Sequence, residues 1–240
     1  MPMRQLFEPH EINEFPPHVR VKRSTRARRM ALRLDPKDRA FHLVIPKGIS
    51  LKRAQRFAEE HDTWMKDKLR NLPKAIQLKH GDLIPIFGRN RRIEINYDRT
   101  LRGTTIELAT YELKISTNMR NPKARIIRFL KELAREEMEN LSRQKARRIR
   151  ENLNTVRVRE TKARWGSCSA DRDINYCWRL IFAPYEAMDY VVAHEVAHLR
   201  HLDHSPAFWA LCRKLSDNYL EGSYWMGNHG HELMSYGAER

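Results

Sequence analysis

Cysteine is scarce in this 240-residue chain: Cys168, Cys177 and Cys212 are the whole set, with no CxxC pair among them. So sparse and odd a set excludes a disulfide framework and points to a reducing compartment. The N-terminal stretch MPMRQLFEPHEINEFPPHVR lacks the apolar segment of a secretory signal. Charges interrupt every apolar run well before the ~18 residues that a bilayer span needs. These absences predict a soluble, cytoplasmic protein with no membrane contact. Internal repeats and low-complexity tracts are also missing, which excludes solenoid and fibrous architectures. Acidic residues are outnumbered, 30 against 46 Lys and Arg, leaving a formal charge of +16 and a pI near 10.1. Such a surplus favours an anionic partner such as nucleic acid, a nucleotide or an acidic membrane, although a basic surface also simply serves solubility.

The chain is long enough for one well-buried core or two small domains, and its organisation reads in three parts. Residues 1–17, with Pro9, Pro16 and Pro17, predict an irregular arm. Residues 18–120 predict a β-rich module with one helix. Alternating segments HVRVKRST, RMALRLD and AFHLVIP resemble a small antiparallel meander turned at DPKD. Ser50 then caps a helix running to about Leu72, and strands are predicted at GDLIPIFG, RRIEINY, TTIELA and ELKIS. Residues 121–240 form the third part. Asn121-Pro122 opens a long helix to about Arg150, with Ile126, Ile127, Leu130, Leu133, Ala134, Met138 and Leu141 at helical spacing. Strands TVRVRE and INYCWRLIF flank the loop RWGSCSADRD, and helices start at Pro184 and at Ser205-Pro206. The fold class is α+β.

The chemistry concentrates in HEVAHLRHLDH, residues 194–204. PYEAMDYVVAHEVAHL is apolar nearly all round and therefore predicts a buried helix. Burying His194, Glu195 and His198 there is costly unless they have partners. Residues four apart share a helix face, so His194 and His198 can hold one cation, while Glu195 sits beside that face and can hold a water. This is the HExxH arrangement of zinc hydrolases. A catalytic zinc needs a third ligand and an open position. His201 would lie about 10.5 Å along the axis from His194 if the helix continued, at 1.5 Å per residue, and three imidazoles in a row cannot close a tetrahedron. Pro206 and the cap Ser205 end the helix instead, and a turn near Leu202-Asp203 returns His204 as the third ligand. Asp217 and Glu221 are weaker alternatives. One zinc ion so held lowers the pKa of a water towards 7, and Glu195 takes its proton as general base.

TKARWGSCSADRDINYCWRLIFAPYEAMDYVVAHEVAHLRHLDHSPAFW resembles the signature of the YgjP-like metallopeptidase family, a zincin relative of the SprT-like proteases. VKRSTRARRMALRLD, VIPKGIS and GDLIPIFG resemble its N-terminal pattern, so the likeness covers most of the chain. It implies a zincin-like helix-and-sheet catalytic domain with His194, His198 and His204 on zinc and Glu195 as base. Asp203 departs from the family's usual Asn, and a proline common after the following helix is missing at LSDNY. In RWGSCS, Arg164 or Ser167 is a candidate for meeting a charged substrate group. The preferred reading is packing, with Trp165 buried, Gly166 permitting a close approach and Cys168 acting as a small hydrophobe. His229 and His231, in NHGHE, read as tail histidines.

Three functions remain in competition. A metallopeptidase acts on a peptide that pairs with an edge strand, for which INYCWRLIF is the candidate. The resemblance also carries a suggested UTP pyrophosphatase activity, for which Lys162, Arg164, Arg179 and Arg200 are candidate triphosphate contacts. A nucleic-acid binder with structural zinc, or a basic protease acting near DNA, would use RVKRSTRARR, GRNRR and SRQKARRIR. The first is the leading expectation.

Overall fold

The computed structural model describes residues 15–35, 38–72, 75–161 and 164–237. The expected arm at 1–17 therefore lies almost wholly outside the described residues, as does Lys162. The chain forms two compact units that divide between Ala75 and Ile76.

The first unit pairs three strands with two helices. Strands β1 (Val19–Ser24), β2 (Ala31–Asp35) and β3 (Ala40–Pro46) lie in the order β1-β3-β2. β2 runs antiparallel to β3, but β1 runs parallel to it, so the sheet is not the expected meander. Alternation specifies which face of a strand is buried, not which neighbour it takes. Phe41, Leu43 and Ile45 supply the buried face. The helix expected after Ser50 is two: α1 (Leu51–Glu60), capped by the Ser50 hydroxyl, and α2 (Asp62–Arg70). His61 leaves helical geometry between them, with its Nδ1 2.8 Å from the Phe57 carbonyl. Ala54, Ala58 and Met65 close the small core.

The second unit opens with β4 (Leu83–Ile86), β5 (Arg89–Tyr97), β6 (Thr104–Leu108) and β7 (Glu112–Thr117), in the order β4-β5-β7-β6. These strands share a core with the long helix α3 (Lys123–Arg148): Ile84, Ile93, Leu113 and Ile115 belong to one cluster with its Ile126, Leu130 and Met138. The compact units accordingly divide near 75 and not at 120, because the apolar face of this sheet is buried against its own C-terminal neighbours. A second sheet, β8 (Val156–Arg159), β9 (Gly166–Cys168) and β10 (Ile174–Cys177), has the order β8-β10-β9. INYCWRLIF is thus strand only to Cys177. Trp178–Phe182 wind into a 3-10 turn. α4 (Tyr185–Ala197), α5 (Pro206–Leu215) and α6 (Tyr219–His229) complete the unit. The architecture is α+β. Among the described residues no helix is long and apolar enough to cross a membrane.

Candidate metal centre

α4 is buried on nearly every side, through Ala187, Met188, Val191, Val192, Ala193, Val196 and Ala197. Its position is fixed from outside by a buried ion pair. Lys145 Nζ of α3 lies 2.6 Å from Asp189 Oδ1 of α4 and donates at 2.6 Å to the Leu215 carbonyl that ends α5. The helix stops at Ala197, with His198 as its C-cap. The chain then turns, and the Ser205 hydroxyl accepts from Phe208 N to start α5 with Pro206 in its first turn.

That turn brings His194, His198 and His204 together, with ring nitrogens all within 4.8 Å of one another. His194 Nε2 and His204 Nε2 are 3.2 Å apart. Two nitrogens on a tetrahedral zinc, each 2.0–2.1 Å from it, stand about 3.3 Å apart, so the donor set fits that ion. The His198 Nδ1 lies 2.9 Å from the His201 carbonyl, which fixes this ring and leaves its Nε2 for the cluster. His201 contributes its backbone, and its side chain is not in the cluster. Burial, followed by the neighbouring His198 and His204, pushes His194 down to about 4. His198 is likewise lowered, mainly by burial. Neutral imidazoles are the form that a metal requires.

Phe208 is the part of the centre that the sequence reading missed. It is fully buried, and its ring centroid lies 4.9 Å from that of His194, 4.5 Å from His198 and 4.7 Å from His204. One phenyl ring thus backs all three imidazoles. The signal was present in SPAFW, where Phe208 falls three residues after the cap, but periodicity marks it only as core.

Glu195 is 5% exposed and lies against β9. A Cβ at Gly166 would sit 2.4 Å from Glu195 Oε1, so the missing side chain is what admits the carboxylate. Burial pushes its carboxyl up to about 7, opposed by the Arg164 charge and a backbone hydrogen bond from Cys168. The close approach expected of Gly166 is therefore an approach to the catalytic candidate itself. Cys168 is pushed up to about 11, first by burial and then by Glu195, and stays a thiol.

The four candidate substrate residues separate. Arg164 is exposed and close enough for its charge to act on Glu195. Ser167 pairs with Asn175, and strand alternation turns it to the side of β9 opposite Glu195. Arg179 is 3% exposed, pairs with Glu160, donates to the Tyr236 carbonyl and stacks on Trp178, so it is a core residue. Arg200 pairs with Glu151 at 3.1 Å and donates to the Ile149 carbonyl, which ties it to the end of α3. His229 pairs with Glu232 at 2.9 Å, and neither it nor His231 joins a ligand cluster among the described residues.

Beside His204 a groove of about 460 Å³ runs between α4, α5 and α6, lined by Tyr190, Pro206, Trp209, Arg213, Tyr219 and Ser223. Gly222 holds α6 close: a Cβ there would meet the Glu186 carbonyl of α4 at 2.3 Å. An α+β fold that gathers three imidazoles beside an open groove, with a buried carboxylate on the same helix as His194, defines a metal-dependent hydrolase. The YgjP-like metallopeptidase domain matches residues 28–229, and the chain belongs to that family. No curated protein and no solved structure matches it.

Proposed function

We propose that this protein is a zinc-dependent peptidase in which His194, His198 and His204 hold one zinc ion and Glu195 is the general base. The observation that carries the proposal is the joint placement of two imidazole nitrogens 3.2 Å apart and, on the residue after His194 in the same helix, a buried carboxylate packed on Gly166. A purely structural ion has no use for a buried carboxylate on the residue that follows its first ligand. Zinc bound there supplies a Lewis acid for a carbonyl and for the water that attacks it. Glu195, held by Gly166 and the Cys168 backbone, takes the proton of the attacking water and returns it to the leaving amine nitrogen.

A peptide is favoured over a triphosphate by the surrounding strands and cations. β10, the expected peptide-pairing strand, is flanked on both sides, by β8 and β9. β8 and β9 are the two edge strands of that sheet, and β9 is the one packed on Glu195, so a peptide added there would run past the base. Of the cations offered for a triphosphate, Arg179 is buried in its own ion pair and Arg200 is tied to Glu151.

The experiment is a parallel assay of the zinc-loaded protein on an unfolded polypeptide and on UTP, with Glu195→Gln as control. Peptide cleavage that falls by about 10²–10⁴ in the control is expected. Glu195-dependent pyrophosphate release from UTP, with no cleavage of polypeptide, would overturn the substrate. For the ligands, His204→Ala is expected to lose zinc, whereas His201→Ala keeps it because the carbonyl that fixes His198 remains. Full zinc occupancy in His204→Ala would overturn the ligand set.

A further inference from the structure

The groove beside His204 has a composition that selects its contents. Pro206, Trp209 and Arg213 fall on one face of α5, at spacings of three and four residues. Tyr219 and Ser223 share a face of α6, and Tyr190 stands one turn before His194 on α4. The walls are therefore aromatic: Tyr190 and Tyr219 meet at 5.4 Å, and Trp209 lies 5.5 Å from His204. Arg213 stacks over the Tyr219 ring, 5.5 Å from its centroid. Stacking occupies the face of the guanidinium and leaves its N–H edges to donate. No ion pair or hydrogen bond involves Arg213 among the described residues, where it is exposed. The other polar groups of the groove are the hydroxyls of Tyr190, Tyr219 and Ser223, the Trp209 indole N–H and the His204 imidazole, and no carboxylate is among its lining residues.

We infer that this groove is a substrate subsite for a carboxylate, gripped at its two oxygens by Arg213 while its methylene stem lies between Trp209 and Tyr219. The inference deepens the peptidase reading and rests on it. It names the substrate as a chain with an acidic group next to the bond cut. A bidentate guanidinium–carboxylate pair suits one negative charge at the end of an apolar stem. A polyphosphate would call for several cations, and the groove holds one. Its volume is about 460 Å³ and it opens widely to solvent, as suits one side chain of an extended peptide laid along the surface. The same carboxylate can come from a Glu or Asp side chain or from the free C-terminus of the peptide.

The test uses the full zinc-loaded chain and blocked peptides that differ at one central position, Glu, Gln, Leu or Lys. A further Leu peptide is made with a free and with an amidated C-terminus. Binding is read by calorimetry on Glu195→Gln protein, and cleavage by kcat/KM on protein with Glu195 intact. A preference for the Glu peptide over Gln of about 10- to 100-fold is expected, the range for a charge-assisted contact. Arg213→Gln should erase the preference and leave the Leu peptide unchanged, and Arg213→Glu should turn it towards Lys. Preference for the free over the amidated C-terminus, erased by the same substitution, would assign the carboxylate to the chain end. An equal effect of Arg213→Gln on all peptides, or none on any, would overturn the subsite. Arg213-dependent binding without Glu195-dependent cleavage would keep the subsite and refute the peptidase reading.

Discussion

Adding one methyl group to Gly166 separates the two demands made on the candidate base, burial and placement. The new Cβ would lie 2.4 Å from Glu195 Oε1, 2.5 Å from its Cγ and 2.6 Å from its Cδ. Relief to ordinary contact needs a displacement of about 1 Å, given carbon separations of 3.5–4.0 Å at optimum. β9 cannot readily yield, because Gly166 and Cys168 are paired to Tyr176 and Ile174 of β10. The carboxylate must move. Overpacking of this kind costs about 1–3 kcal/mol, which at about 2–4 °C per kcal/mol for a chain this size lowers Tm by about 2–12 °C. Misplacing a reacting group by about 1 Å costs about 10²-fold in rate. The three atoms nearest that Cβ all belong to Glu195 and none to an imidazole, so Gly166→Ala should bind one zinc, unfold slightly earlier and hydrolyse about a hundredfold more slowly. Gly227→Ala is the control. Nothing lies within 4 Å of a Cβ there, and Ala in a helix is better than Gly by about 1 kcal/mol. A folded, zinc-loaded Gly166→Ala that works at full rate would refute the role given to Glu195's packing.

Three more outcomes rest on other contacts. Phe208→Ala removes the ring behind the imidazoles and should destabilise by about 3–5 kcal/mol while weakening zinc retention, read by denaturant titration with and without a chelator; unchanged zinc affinity would show that the rings are held by other means. Lys145→Met leaves Asp189 buried without its partner and should cost about 3–5 kcal/mol, much of it recovered in the double variant Lys145→Met/Asp189→Leu; denaturant unfolding checks both. Glu151, paired at 2.9 Å with Arg172 and at 3.1 Å with Arg200, is held below the usual carboxylate range, chiefly by the Arg172 hydrogen bond. A depressed folded pKa contributes stability above the unfolded value and loses it as pH falls through the folded one. Glu151→Gln should therefore cost up to about 1 kcal/mol at neutral pH and almost nothing once acid has protonated the wild-type carboxylate, and an equal cost at both pH values would argue against the pairing.

The sequence was most legible where one residue type has one physical use. His194 and His198 on a buried helix, the stop at Ser205-Pro206 and the return of His204 follow from spacing and capping, and the three side chains do meet. The α+β class and the strands of the second unit were legible from alternation. Long-range relations were less so. The parallel pairing of β1 with β3, the break at His61 and the 3-10 turn at Trp178–Phe182 depend on tertiary contacts that periodicity does not encode. Arg179 looked like a substrate contact because its partners, Glu160 and the Tyr236 carbonyl, lie 19 and 57 residues away. Gly222, which seats α6 on α4, carried no local sign that its neighbour would be the Glu186 backbone.

α5 joins the two halves of the site in ten residues. Phe208 faces inward and backs the three imidazoles. Pro206, Trp209 and Arg213 face the groove one position round the helix. Ser205 caps its start directly after His204, so the cap that ends the ligand turn also sets the rotation of both faces. Its far end is held by Lys145, which donates to the Leu215 carbonyl while pairing with Asp189 of α4. A rotation or slip of α5 would therefore move the third ligand, the ring behind it and the guanidinium together. The two faces share one rigid element but not one set of contacts: a change at exposed Arg213 is expected to alter selectivity at the proposed subsite alone, whereas a change at Phe208, whose ring meets all three imidazoles, is expected to reach both.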